Sequence, residues 1–220
     1  MTRFFDILFS SLALLLLSPI LIVVAIILRF TGEGEVFFRQ QRVGEGGRMF
    51  GLLKFATMLR DSPNLGSGLL TVKNDPRVLP FGRFLRKTKL NELPQLINIF
   101  VGDMSVIGPR PQARPHFEVY SEAVKVRLKT VRPGLSGIGS IVFRDEENIL
   151  ECAADKERFY ADVIAPYKGA LECWYIDRQG LVMYFTLIWL TIVAVLAPSS
   201  SAYRSVLRDL PEPPPELKGL

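Results

Sequence analysis

The chain has 220 residues, 49% of them apolar, and 27 Lys and Arg against 22 Asp and Glu give it a net charge of +5. That length holds one domain with a real core plus a membrane element, and the positive balance suits an anionic partner: phospholipid, a phosphorylated substrate or nucleic acid. A single histidine, His116, reads as a surface residue and weighs against histidine-based metal or triad chemistry, while Cys152 and Cys173 lack metal-ligand spacing and read as reduced thiols.

Residues 7–28 form an uncharged apolar run, flanked by Arg3, Asp6 and Arg29. A helix of that length reaches across a bilayer core, and the run is too long for the apolar part of a cleaved signal peptide. Ser18-Pro19 sits at its middle, where proline removes a backbone hydrogen bond. Two topologies are open: a spanning helix with a tolerated kink, or a helix that bends at Ser18-Pro19 and returns to the side it entered. Basic residues flank both ends, so the positive-inside bias does not separate them.

Residues 36–43 and 48–55 are β-leaning runs around Gly44-Glu45-Gly46-Gly47, which predicts a hairpin; no phosphate-loop spacing is present. Lys54 ends an apolar strand. Residues 61–80 are rich in turn formers and read as a surface loop. A basic helix carrying Arg83, Arg86 and Lys87 follows, and then a helix is predicted to start at Asn91-Glu92. Asn91 would be its N-cap and Pro94 would lie in its first turn. A helix start with Lys87, Lys89 and Arg110 nearby in sequence suits a phosphate.

Residues 112–130 read as one polar helix stopped by Arg132-Pro133-Gly134, residues 135–143 as β-leaning, and residues 144–148 as an acidic patch on a solvated face or helix start. Residues 155–177 look helical with an interruption at Pro166. The uncharged run 181–196 is short for a span and fits an interfacial or buried helix. The Pro- and Ser-rich tail after residue 197 has the composition of a disordered end. The basic residues are spread along the chain without a nucleic-acid-binding motif, so no nucleic acid partner is expected.

Taken together, Ser18-Pro19, Val36-Phe37-Phe38-Arg39-Gln40-Gln41-Arg42-Val43-Gly44, Lys54-Phe55-Ala56-Thr57-Met58, Asn74-Asp75-Pro76-Arg77-Val78, Asn91-Glu92-Leu93-Pro94-Gln95-Leu96, Gly102-Asp103-Met104-Ser105, Gly108-Pro109-Arg110-Pro111 and Arg132-Pro133-Gly134-Leu135-Ser136-Gly137 resemble the bacterial sugar transferases, the monotopic polyprenyl-phosphate phosphoglycosyl transferases. The resemblance implies an α/β, mostly helical fold: a re-entrant membrane helix over residues 1–30, a membrane-associated catalytic domain with a short hairpin and interfacial helices over 31–196, and a tail over 197–220. It implies transfer of sugar-1-phosphate from a UDP-sugar to undecaprenyl phosphate, with Mg²⁺, on the cytoplasmic face of the bacterial inner membrane among its lipids, and it allows a homodimer.

In that family an Asp-Glu pair at a helix start carries the chemistry, the Asp attacking as nucleophile. Here the pair is Asn91-Glu92, and an amide is a far poorer nucleophile. Three readings follow: an introduced inactivating change, a chain that uses another carboxylate, or a member with lost or altered activity that still binds nucleotide sugar or polyprenyl phosphate. Glu92 is the nearest substitute and Asp103 the next, with Glu92 also the expected metal ligand. Lys54, Arg86, Lys89 and Arg110 are the expected phosphate or substrate contacts, Arg110 being stiffened by its two flanking prolines. Ala56 and Ile138 stand where the family often has arginine and tryptophan.

Overall fold

A computed structural model of the chain describes residues 1–62, 75–151, 153–197 and 200–218, with the side chain of residue 147 outside that description. Most of the expected loop and Cys152 therefore lie outside the described residues. The chain divides into two compact units, interleaved in sequence: residues 1–6, 41–50 and 102–220, and residues 7–40 and 51–101.

Helix α1 (Thr2–Phe30) continues through Pro19. Pro19 has no N–H to give the carbonyl of Leu15, its partner one turn back. The Ser18 hydroxyl donates to that same carbonyl at 2.8 Å. The Ser-Pro pair thus repairs the bond that its proline breaks, as a helix in lipid requires. Only 11% of the most apolar stretch of α1 is buried, and Leu15, Leu16, Ile22 and Val23 are exposed. By length and composition α1 could cross a membrane.

In the second unit, Val24 and Leu28 of α1 pack with Phe55 and Leu85, flanked by Val36, Phe81 and Leu90. The predicted hairpin is present as β1 (Phe37–Val43) and β2 (Met49–Phe55) around a 3₁₀ turn at Glu45–Gly47. Helix α2 (Pro80–Lys87) opens with proline at its first position. Helix α3 (Gln95–Val101) is fixed to β2 by Asn98, which accepts from the Leu53 N–H at 2.9 Å and donates to the Gly51 carbonyl at 3.0 Å.

In the first unit, β3 (Ser105–Ile107) pairs in parallel with β4 (Gly134–Ser136), Ser105 opposite Gly134 and Ile107 opposite Ser136. The expected single helix over 112–130 is instead two, α4 (Arg114–Glu118) and α5 (Glu122–Leu128), because Ser121 caps a fresh start by accepting from the Val124 N–H. The β-leaning run 135–143 is strand only at its beginning; after Gly137 it turns into α6 (Ile138–Val142). The acidic patch opens α7 (Glu146–Glu151). Then come α8 (Lys156–Phe159), a π-turn over Tyr160–Ile164, and α9 (Ala165–Asp177) with Pro166 in its first turn.

Helix α10 (Leu181–Leu196) buries Tyr184, Leu187 and Leu190 and exposes Val182, Trp189, Ile192 and Val195, a two-faced pattern that suits an interfacial helix. The tail, whose composition suggested disorder at its end, carries α11 (Ala202–Val206), buries Leu207 and Leu217, and accepts a hydrogen bond from Tyr167 at the Pro211 carbonyl.

Asp6, 1% exposed, ties three elements of the first unit together. Its Oδ1 accepts from Ser105 Oγ, the Val106 N–H and Tyr184 Oη, each at 2.9 Å. Asp6→Ala strands three donors, two of them buried, and should cost about 3 kcal/mol, against about 1 kcal/mol for Tyr184→Phe. Thermal unfolding in nanodiscs measures both, and equal stability of Asp6→Ala and wild type would refute this role. By the same assay Ser18→Ala, which leaves the Leu15 carbonyl unpaired, should lose about 1 kcal/mol.

Candidate active site

The predicted N-cap is not one. Lys89 stands at φ 59°, ψ 10°, in left-handed backbone that ends α2 and redirects the chain. A 3₁₀ turn over Leu90–Glu92 follows, with Glu92 N–H bonded to the Lys89 carbonyl and Leu93 N–H to that of Leu90. Helix α3 starts only after Pro94. Asn91 therefore lies inside the turn, 7% exposed, and its Oδ1 has no hydrogen-bond partner. A buried carbonyl oxygen left without a donor is costly, so the fold holds this acceptor at an energetic disadvantage.

Glu92 Oε1 lies 3.6 Å from Lys54 Nζ, both side chains about four-fifths buried. The meeting follows from the fold: Asn98 fixes α3 to β2, and Lys54 is the penultimate residue of β2, beside the buried Phe55. Arg86, half-buried on α2, donates to Met58 Sδ at 3.6 Å. Lys89 is exposed at the turn's entry. The structure thus pairs Lys54 with Glu92 and sets Lys89 and Asn91 on the same short turn. Asp103 and Arg110 belong to the other unit, both exposed. Ala56 is buried, its N–H bonded to the Val36 carbonyl, and Ile138 is a core residue.

Two of the motifs turn out to be architectural. Asp75 and Arg77 form a buried pair at 2.6 Å, and Arg77 also donates to the Ser62 carbonyl. In Arg132-Pro133-Gly134-Leu135-Ser136-Gly137 the glycines permit backbone contact: a Cβ on Gly134 would stand 2.1 Å from Gly108 N, and one on Gly137 2.2 Å from Gly108 O. This junction carries the Gly108-Pro109-Arg110-Pro111 turn, whose prolines are buried while Arg110 is exposed.

The sequence reading missed a buried polar group in the first unit. Glu172 on α9 is 2% exposed, and the Arg110 backbone N–H bonds to its carboxyl. Lys168, one turn earlier and 3% exposed, pairs with Glu146 at 2.6 Å. His116, expected at the surface, is half-buried with its ring centroid 5.5 Å from that of Tyr160. Burial, then the Arg42 charge, holds its pKa below the usual histidine range, and burial pushes Tyr160 up to about 12. The i, i+4 spacing of Lys168 and Glu172 looks like a solvated surface pair, so only the packing reveals it.

Among the described residues no three His, Cys, Asp or Glu side chains converge as a ready metal cage. Mg²⁺ does not need one: it takes one or two protein oxygens and completes its shell with water and substrate phosphate. The unpartnered Asn91 Oδ1 and the Glu92 carboxylate are oxygen donors of that kind.

The bacterial sugar transferase family profile matches residues 1–198. The chain is 33% identical over 207 residues to the exopolysaccharide production protein ExoY of Rhizobium meliloti, covering 88% of this chain and 84% of that protein. It is 43% identical over 153 residues to a UDP-glucose:undecaprenyl-phosphate glucose-1-phosphate transferase of Klebsiella pneumoniae, covering 68% of this chain and 32% of that one. It is 37% identical over 142 residues to a UDP-N-acetylgalactosamine-undecaprenyl-phosphate N-acetylgalactosaminephosphotransferase of Aeromonas hydrophila, covering 64% and 33%.

The strained Lys89 backbone gives a direct test of the turn. Lys89→Gly should hold or raise stability by about 0.5–1 kcal/mol, whereas Lys89→Val should lose about 1–2 kcal/mol. Denaturant titration in detergent distinguishes them, and equal stability of the two variants would show that the left-handed turn is absent.

Proposed function

We propose that this chain, which belongs to the bacterial sugar transferase family, transfers sugar-1-phosphate from a UDP-sugar to undecaprenyl phosphate. The observation that carries the reading is the family match along residues 1–198, joined by relatives named for this reaction with two different sugars. The bond to the β-phosphorus on the UMP side breaks, UMP leaves, and the phosphosugar ends on the lipid phosphate as a diphosphate. A carboxylate nucleophile would divide this into two displacements through a phosphosugar adduct.

With Asn91 at the nucleophile's position, the carboxylate work at this turn falls to Glu92; Asp103, in the other unit, is the second candidate carboxylate by sequence alone. Lys54, 3.6 Å from Glu92, sets a positive charge beside the reacting carboxylate and offers it to phosphoryl oxygens. Lys89 and Arg86 add cationic charge that draws the diphosphate in. Arg110, on its proline-stiffened turn, supplies a planar fork for bidentate phosphate binding. Asn91 and Glu92 would hold Mg²⁺. When bound, Mg²⁺ neutralises charge on the phosphoryl oxygens as bonds break.

The setting is the cytoplasmic face of the bacterial inner membrane, with α1 entering one leaflet and returning. The exposed apolar faces of α1 and α10 support the membrane setting, and the return at Ser18-Pro19 rests on the family resemblance. Cysteines placed at Thr2 and Gly34 should both react with an impermeant label from one side of sealed vesicles; labelling from opposite sides would replace the re-entrant form with a spanning one.

For the reaction, nanodisc-embedded protein is given undecaprenyl phosphate, Mg²⁺ and a panel of UDP-sugars, and UMP is followed. UMP release with at least one sugar is expected, with loss of about 100-fold or more in Glu92→Gln. A phosphosugar adduct on the wild type, seen by mass spectrometry and missing from Glu92→Gln, would identify the nucleophile. Silence with every sugar, relieved by Asn91→Asp, would instead show that this chain has lost the native activity.

A further inference from the structure

Two side chains of α9 bond to the backbone on either side of Gly108-Pro109. Tyr175 Oη donates to the Ile107 carbonyl at 3.3 Å, and the Glu172 carboxyl accepts the Arg110 N–H. The cost of this arrangement is visible around Glu172. It is 2% exposed, and its Oε2 has no hydrogen-bond partner. Gly139 packs so closely that a Cβ there would meet Oε1 at 2.3 Å. Lys168, the nearest cation on its own helix, is engaged with Glu146 at 2.6 Å. An apolar residue of similar volume would avoid burying a carboxyl, but it could not accept the Arg110 N–H.

We propose that Glu172 is a positioning residue for Arg110, fixing the peptide from which that guanidinium reaches a substrate phosphate. The inference rests on Arg110 binding phosphate, as proposed above. A side chain placed between Pro109 and Pro111 is aimed by its backbone, and small errors in aim are expensive at a phosphate. Tyr175 and Glu172 together hold that backbone to a long helix rather than leaving it to a surface loop.

Protonation enters as a consequence. Burial pushes the Glu172 carboxyl up to about 7, opposed by the Lys168 charge and the Arg110 N–H. The other titratable groups near it are Tyr120, Cys173 and Tyr175, with Glu146 across Lys168. As pH rises through about 7 the acid becomes a carboxylate, a stronger acceptor for the Arg110 N–H. Its folded pKa is raised above the ordinary value of 4.5, so its contribution to stability is fully present below that value and is lost as pH rises through about 7.

The test is binding of UDP with Mg²⁺ to the full chain in nanodiscs, by calorimetry, alongside thermal unfolding from about pH 6 to about pH 8. Arg110→Ala and Glu172→Ala should each weaken UDP by about tenfold, and the double variant by little more, because the two act through one group. Glu172→Gln keeps a carbonyl acceptor and should stay within about twofold of wild type near pH 6. It should also lack the tightening of UDP binding, and the fall in stability, that wild type shows as pH rises. If Arg110→Ala binds UDP normally, the phosphate role of Arg110 is wrong and this inference goes with it. If Arg110→Ala weakens binding while a folded Glu172→Ala does not, the inference alone is wrong. Should Glu172→Ala fail to fold, Glu172→Gln decides: a pH dependence equal to wild type overturns the proposal.

Discussion

A long helix that the protein leaves largely unburied sets the terms for the rest of the structure. Apolar surface on the scale of α1 is costly in water, which suits association with a membrane, where every backbone group entering lipid needs a partner. Ser18 meets that demand at Pro19 through the Leu15 carbonyl. The side of α1 that is buried does structural work: Val24 and Leu28 pack with Phe55 and Leu85, and these lie at the end of β2 and within α2. The elements that bring Lys54 to Glu92 are thereby built on a helix designed for lipid. At the helix start, Asp6 gathers β3 and α10.

The features legible from sequence were those written in periodicity or in turn chemistry. The hairpin around Gly44-Glu45-Gly46-Gly47, the basic α2 and the uncharged α10 are examples. The features missed depend on distant partners. Strands β3 and β4 are three residues each and pair in parallel, a pattern too short for alternation to register. The polar run over 112–130 has helical composition throughout, but Ser121 favours capping a new helix over continuing the old one. Asn91 departs from expectation for the opposite reason: its residue type is an excellent cap, yet the left-handed Lys89 inserts a tighter turn ahead of the helix.

The motifs that carried the family resemblance divide the same way. Asp75-Arg77 is a buried structural pair, and the glycines after Pro133 let one backbone lie against another at Gly108. Lys54 and Glu92 meet each other at 3.6 Å, and Arg110 is exposed. A motif list gives both kinds equal standing, and only the packing separates residues that build the fold from residues that are presented by it. Glu172 reverses the case. It belongs to no motif of the sequence analysis, yet it is buried against Gly139.

Asn91 brings the two kinds of constraint to one position. An aspartate buried there would carry a charge in place of the amide, and burying a charge costs more than burying an amide unless a cation or donor meets it. The amide oxygen already lacks a partner, so the turn does not supply one from within the protein. The asparagine therefore costs the resting fold less than a buried charge would. What remains beside it is Glu92, a carboxylate one residue further along the same 3₁₀ turn, with Lys54 at 3.6 Å. The turn brings together a carboxylate, a cation and an oxygen without a hydrogen-bond partner.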